Sequence, residues 1–149
     1  MTQIEEIANG VYARIVEGLT NSGIIVGPSE IMVIDSLRVP SHAKALIDDV
    51  KRISDKPIKY LIDTHSHWDH SWGNEEFNDS VIIGHDNCFK EMNDGEWNEK
   101  WLNTIVSAND PWSEEAKTVN ITPPNLTFRD EMKIFFDDRE IVFKYFGKA

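Results

Sequence analysis

The sequence predicts a mixed α/β domain, a mixed β-sheet flanked by helices, and three observations carry that prediction. The opening third breaks into short apolar runs separated by turn residues. An amphipathic stripe follows, with Ala43, Leu46, Ile47, Val50 and Ile53 at spacings of three and four. Another short apolar run, Ile58-Lys59-Tyr60-Leu61-Ile62, comes next and leads directly into a histidine-rich stretch.

Taken in order, residues 11–16 (Val-Tyr-Ala-Arg-Ile-Val) suit a strand, and Asn21-Ser22-Gly23 reads as a turn. Ile24-Ile25-Val26 is a second strand, Gly27-Pro28-Ser29 a second turn, and Ile31-Met32-Val33-Ile34 a buried strand ending at Asp35. The opening third is therefore a β-meander. Pro40-Ser41 marks a helix start with Ser41 as its expected N-cap, and Lys44, Asp48, Asp49, Lys51 and Arg52 fall mostly on the polar face. Strand, helix and strand form a βαβ-like unit, whose second strand ends where the histidines begin. That end of a sheet is where ligands collect in open α/β folds. Farther on, Glu75-Glu76-Phe77 closes a short helix and Val81-Ile82-Ile83 is a strand. Residues 86–118 are the least regular stretch, with one or two helices expected, including Glu96 to Val106. Met132 to Phe136 and Ile141 to Tyr145, around Asp137-Asp138, read as strand, turn, strand.

Composition narrows the function. The 149 residues hold 40% hydrophobic and 28% charged residues, an ordinary globular balance in one unit spanning 1–149. A net charge of −11 disfavours nucleic acid and anionic membrane as partners. Cys88 is the single cysteine, so no internal disulfide is possible. Met1 to Gly18 lacks the pattern of an export signal, and the expected location is cytoplasmic.

The chemistry concentrates in Thr64-His65-Ser66-His67-Trp68-Asp69-His70, which holds three of the five histidines and an aspartate. In extended backbone His65 and His67 point the same way and can share one ion. Asp69 and His70 cannot share that direction unless a turn intervenes, which would aim them at a second position, as in a two-metal site. Imidazole with carboxylate suits zinc, iron or manganese rather than calcium. Asp35 and Asp63 are the nearest groups that could hold the far nitrogen of a ligating ring. His85 reads as a hydrogen-bonded rim residue, His42 as solvated or capping, and Cys88 as a small buried apolar group. Trp68 and Trp72 suit packing at least as well as a pocket wall, and Trp97 and Trp101, four apart, share a helix face of core type.

The segment Thr64 to Asn74 resembles the metal motif of the metallo-β-lactamase superfamily, in the broad hydrolase branch that includes glyoxalase II. The flanks agree: a meander with a strand ending in Ile34-Asp35, a helix, a strand into the motif, and Val81 to His85 after it. The resemblance implies the N-terminal half of an αββα sandwich, a truncated single domain over 1–149. It implies His65 and His67 as ligands of a first metal, with Asp69 and His70 as ligands of a second. The metal would be Zn2+, two ions per site, with Fe or Mn as alternatives. Asp69 would also be catalytic, orienting a hydroxide on the metals that attacks a small ester, thioester, lactone or amide. The family's third histidine of the first site, its bridging aspartate and its distal histidine have no counterpart, since His42 and His85 sit in no matching motif. Trp72 stands where the family usually has glycine, so a crowded turn is expected there. Two alternatives follow. One is a catalytically incomplete half-domain that binds metal weakly and needs a second copy or a C-terminal half-domain. The other is an iron-dependent redox member. The expected partners are a small-molecule substrate and one of those completing chains, with no nucleic acid and no membrane.

Overall fold

Alternation along the central strands decides which faces are buried. The computed structural model describes residues 1–148, and in it seven strands form one sheet in sequence order. β1 (Thr2–Ala8), β2 (Val11–Val16), β3 (Ser22–Val26) and β4 (Ile31–Ile34) pair antiparallel as the expected meander. β5 (Ile58–Ile62), β6 (Val81–His85) and β7 (Leu126–Phe128) then join β4 in parallel, so the sheet is mixed. Period-two alternation sends Ile24, Ile31, Val33, Leu61 and Ile82 to one face, while Ile25, Met32, Ile62 and Ile83 go to the other.

Each face has its own cover. Helix α1 (Pro40–Ile53) lays Ala43, Leu46 and Val50 on the first face. The hairpin of β8 (Glu131–Phe136) and β9 (Arg139–Lys144) sets Phe136 and Phe143 on the second. Its other side leaves Phe135 and Val142 exposed. The β1 strand, not anticipated from sequence, is an edge strand exposed along its length and carrying Glu5 and Glu6, charges that discourage edge pairing.

A helical layer forms a third core at the end of the sheet that carries the histidines. It comprises α2 (Trp68–Ser71), α3 (Asp86–Met92), α4 (Gly95–Ala108) and α5 (Ser113–Ala116). Asp94 caps α4 by accepting from the N–H groups of Glu96 and Trp97. Val39, Trp72, Ile105 and Ala116 are buried together there, with Trp68, Trp101 and Trp112 packed around them. At the Trp72 turn, α4 and α5 give the indole a buried seat at 3% exposure. Among the described residues no helix is long and apolar enough to cross a membrane.

Two local expectations are corrected. Val39, not Ser41, occupies the N-cap position of α1, with Pro40 in the first turn. Ser41 instead donates its N–H and its Oγ to the Glu115 carboxylate, at 2.7 and 2.6 Å, so a carboxylate from α5 serves the helix start. His42 is neither solvated nor capping: it is half-buried, edge-on to Trp112 at 5.6 Å between centroids.

One buried ion pair ties the meander to α1. Arg14 Nε donates to Asp49 Oδ2 at 2.8 Å, with the two residues 5% and 6% exposed, and Arg52 reaches Asp49 Oδ1 at 2.6 Å. Removing one partner strands the other charge in the interior. Asp49→Ala is expected to lower the unfolding free energy by about 3 kcal/mol, read by urea denaturation; a loss below about 1 kcal/mol would show that water already reaches the pair.

Candidate metal centre

The chain reaches the site at the C-terminal ends of β4 and β5. After β4 the backbone turns sharply, and Asp35 and Leu37 adopt positive φ values of 63° and 74°, a conformation few non-glycine residues hold without support. The support comes from the motif: the N–H groups of Ser36 and Leu37 both donate to the His70 carbonyl, at 2.8 and 3.2 Å. Gly73 lets the two segments come this close, because a Cβ there would fall on the Ser36 carbonyl oxygen and on Ala43.

Asp35 is the organising side chain. It is 5% exposed, and its Oδ1 accepts from the Thr64 N–H at 2.9 Å. Its Oδ2 accepts from Thr64 Oγ1 at 2.9 Å and lies 2.7 Å from His70 Nδ1. Since Thr64 Oγ1 spends its proton on Asp35, the contact between that oxygen and His65 Nδ1, at 3.0 Å, has the ring donating. His65 and His70 therefore both carry the proton on Nδ1 and keep the Nε2 lone pair free. This is the arrangement of a ligating histidine whose far nitrogen is held by a carboxylate or its relay.

The predicted residues gather in one patch. The His65 ring lies 4.7 Å from His67 and 4.1 Å from His70, between centroids. His70 Nε2 is 3.5 Å from Asp69 Oδ2. A turn does intervene after His67, which precedes α2, so Asp69 and His70 leave from a helix rather than from extended chain. Thr20, from the β2–β3 connection, donates to Asp69 Oδ2 at 2.7 Å. Trp97 and Trp101 of α4 stand 6.0 and 4.9 Å from the His67 ring, so they flank the site, and Trp101 also packs against the third core, as its helix face led one to expect. His85 lies elsewhere, on the rim as expected: its Nε2 donates to the Arg129 carbonyl at 2.7 Å, its Nδ1 accepts from the Asn87 N–H, and it stacks on Tyr145. Cys88 is buried, and burial pushes its thiol far above the ordinary range, consistent with an inert apolar role.

A family profile described as the metallo-beta-lactamase superfamily matches residues 15–136. The chain belongs to the metallo-β-lactamase superfamily. Solved structures agree on the fold. The FIM-1 metallo-β-lactamase from Pseudomonas aeruginosa, in its mono-zinc form, aligns with a TM-score of 0.57 at 14% identity, over 87% of this chain and 51% of that one. A metallo-β-lactamase from Pontibacter korlensis gives 0.64 at 13% identity, over 94% and 58%. The inverting sec-alkylsulfatase Pisa1 from Pseudomonas sp. gives 0.61 at 18% identity, over 97% and 27%. The chain thus spans about half the length of the two lactamases. No curated protein sequence matches it.

Within this superfamily fold the donors fit a transition metal in kind. They do not suffice in arrangement: among the described residues no three His, Cys, Asp or Glu side chains are placed to hold one ion. The electrostatics shift the pKa values of two of the rings in opposite directions. Burial lowers the His65 pKa, and the neighbouring His70 and His67 lower it further, which keeps that ring neutral and able to ligate. For His70 burial acts in the same sense, but the hydrogen bond and charge of Asp35, together with Asp69, outweigh it and raise the pKa.

Asp63 plays a different part from Asp35. It touches no histidine; its Oδ2 accepts from Asn74 Nδ2 at 2.8 Å, and its Oδ1 is buried without a partner. Asn74 also accepts from Ser36 Oγ at 2.6 Å and donates to the Thr122 carbonyl, bracing the floor of the site. Burial pushes the Asp63 pKa well above the usual carboxylate range, against the pull of Asn74. The folded state then binds the Asp63 proton more tightly than the unfolded chain, so this group costs stability as pH rises from about 4 through its folded pKa. Compared with Asp63→Asn, the wild type is expected to lose stability between pH 5 and pH 8, by at most about 1.4 kcal/mol per pH unit crossed. Urea midpoints that stay a constant distance apart over that range would contradict the assignment.

Proposed function

We propose that the chain is the metal-binding part of a metal-dependent hydrolase acting on a small ester, thioester, lactone or amide. The observation that carries the reading is the hydrogen-bond order around Asp35, which holds Nδ1 of both His65 and His70 and turns their Nε2 atoms to the side of His67 and Asp69, His70 Nε2 lying 3.5 Å from Asp69 Oδ2. Such outer-shell support has no purpose in a polar loop whose imidazoles merely face water. Membership of a mostly hydrolytic superfamily agrees with it. His65 and His67 would hold a first Zn2+, and Asp69 and His70 a second. A bound dication supplies a nucleophile at neutral pH by lowering the pKa of water to about 7. This chain's own part is to fix the rings through Asp35 and Thr64, to set the Asp69 carboxylate through Thr20, and to limit water beside His67 with Trp97 and Trp101.

A second reading has support from the arrangement of the donors. No three of them meet among the described residues, so these four would be one part of a centre whose other ligands come from a further segment or a second chain. On that reading the 149 residues bind metal weakly and hydrolyse nothing alone.

Elemental analysis tests the assignment common to both. Protein purified without chelator or added metal, then dialysed to equilibrium against a fixed concentration of Zn2+, should hold zinc above the level of the dialysis buffer, and His67→Ala should reduce that bound zinc by about tenfold or more. His85→Ala should retain as much as the wild type. Equal zinc in the wild type and His67→Ala would refute the site. Esterase, thioesterase and lactonase assays on the zinc-loaded wild type then separate the two readings.

A further inference from the structure

Arg38 is the conspicuous cation of this acidic protein. It lies in the connection between β4 and α1, is 7% exposed, and its Nε is buried without a hydrogen-bond partner. The indoles of Trp68 and Trp112 lie against its guanidinium, 5.6 and 5.1 Å from ring centroid to Cζ. Asp69 and Asp110 are near enough for their charge to act on it, yet neither forms an ion pair with it among the described residues. A desolvated guanidinium without a counter-ion is costly, and an anion seated against it removes that cost.

The surroundings offer such an anion a place. Arg38 helps to line a cleft of about 240 Å³, together with Arg14, Thr20, Leu37 and His42. At about 30 Å³ of liquid volume per water the cleft has room for a small molecule or one end of a larger one. Three basic side chains thus share one cleft of a chain with a net charge of −11. Arg14 is paired with Asp49, while His42 and Arg38 both pack on Trp112, and of the two arginines Arg38 is the one without an anion among the described residues. The cleft also borders the histidine patch, because Thr20 both lines it and donates to Asp69.

We propose that this cleft is an anion subsite, in which the Arg38 guanidinium takes the carboxylate or sulfate group of a small molecule whose remainder extends toward Asp69 and His70. Two oxygens of a carboxylate or of a sulfate group match the spacing of the guanidinium fork through paired N–H···O bonds. Anion binding itself needs no metal; that the anion belongs to the substrate rests on the hydrolase reading above.

The test is a titration of the metal-free 149-residue chain with sodium acetate and, separately, sodium sulfate, holding ionic strength constant with sodium chloride. The arginine Nε–H resonances and, in all variants, the backbone amides of the cleft residues Thr20 and Leu37 are followed by NMR. Saturable movement of the Arg38 resonance is expected, with binding weakened by at least about tenfold in Arg38→Gln and unchanged in the exposed surface variant Arg129→Gln. Arg38→Lys keeps the charge but loses the fork, so it should fold and bind at least about threefold more weakly. The better of the two salts tells which group the fork prefers. Movement that stays linear in salt, or affinity equal in the wild type and both Arg38 variants, overturns the subsite. Because metal and turnover play no part, saturable binding by a chain that fails every hydrolase assay would keep the subsite and reject only the catalytic reading.

Discussion

One buried carboxylate holds this site together. Asp35 ends the central strand β4, and its two oxygens receive the Thr64 N–H, the Thr64 hydroxyl and the His70 ring. Those bonds join two strands, a loop and a helix that would otherwise meet only through backbone. They also supply a reason for the strained turn at Asp35 and Leu37. The φ values there cost energy, and the Ser36 and Leu37 N–H groups offset that cost by sharing the His70 carbonyl. Through Thr64 the same carboxylate reaches His65, so a single charge sets the tautomer of two rings.

Much of this was legible in the sequence, for a physical reason. The strands β2 to β6 and helix α1 are set by apolar periodicity, and both faces of the sheet are buried as that alternation requires. The motif His65 to His70 stands out because few structural needs place three imidazoles and a carboxylate within six residues. Asp35 was traceable because it terminates a buried strand beside the motif strand. Other features depend on contacts that no local pattern announces. Thr20 meets Asp69 from 49 residues away, and Arg38 faces a cleft only once α1 and the meander are assembled. Trp97 and Trp101 do share a helix face, but helical spacing cannot tell that the face meets His67. Ser41 followed an N-cap rule that a carboxylate from α5 displaced.

The fold explains how four donors can gather without completing a site. The parallel strands bring the ends of β4 and β5 side by side, and the β4–α1 turn clamps α2 against them. That suffices to aim His65, His67, Asp69 and His70 at one region. It does not supply a third donor to any single point, in a chain that covers about half the length of the lactamases it resembles. Metal affinity would then depend on how rigidly the available rings are held, which returns the argument to Asp35.

The measurement closest to the centre of this account is a long-range 1H–15N correlation spectrum of the imidazoles in the metal-free protein, at a pH where the rings are neutral. The Asp35 network predicts the Nδ1–H tautomer for both His65 and His70, with Nε2 unprotonated. An Nε2–H tautomer at either ring would contradict it, since the nitrogen meant for a metal would already carry a proton.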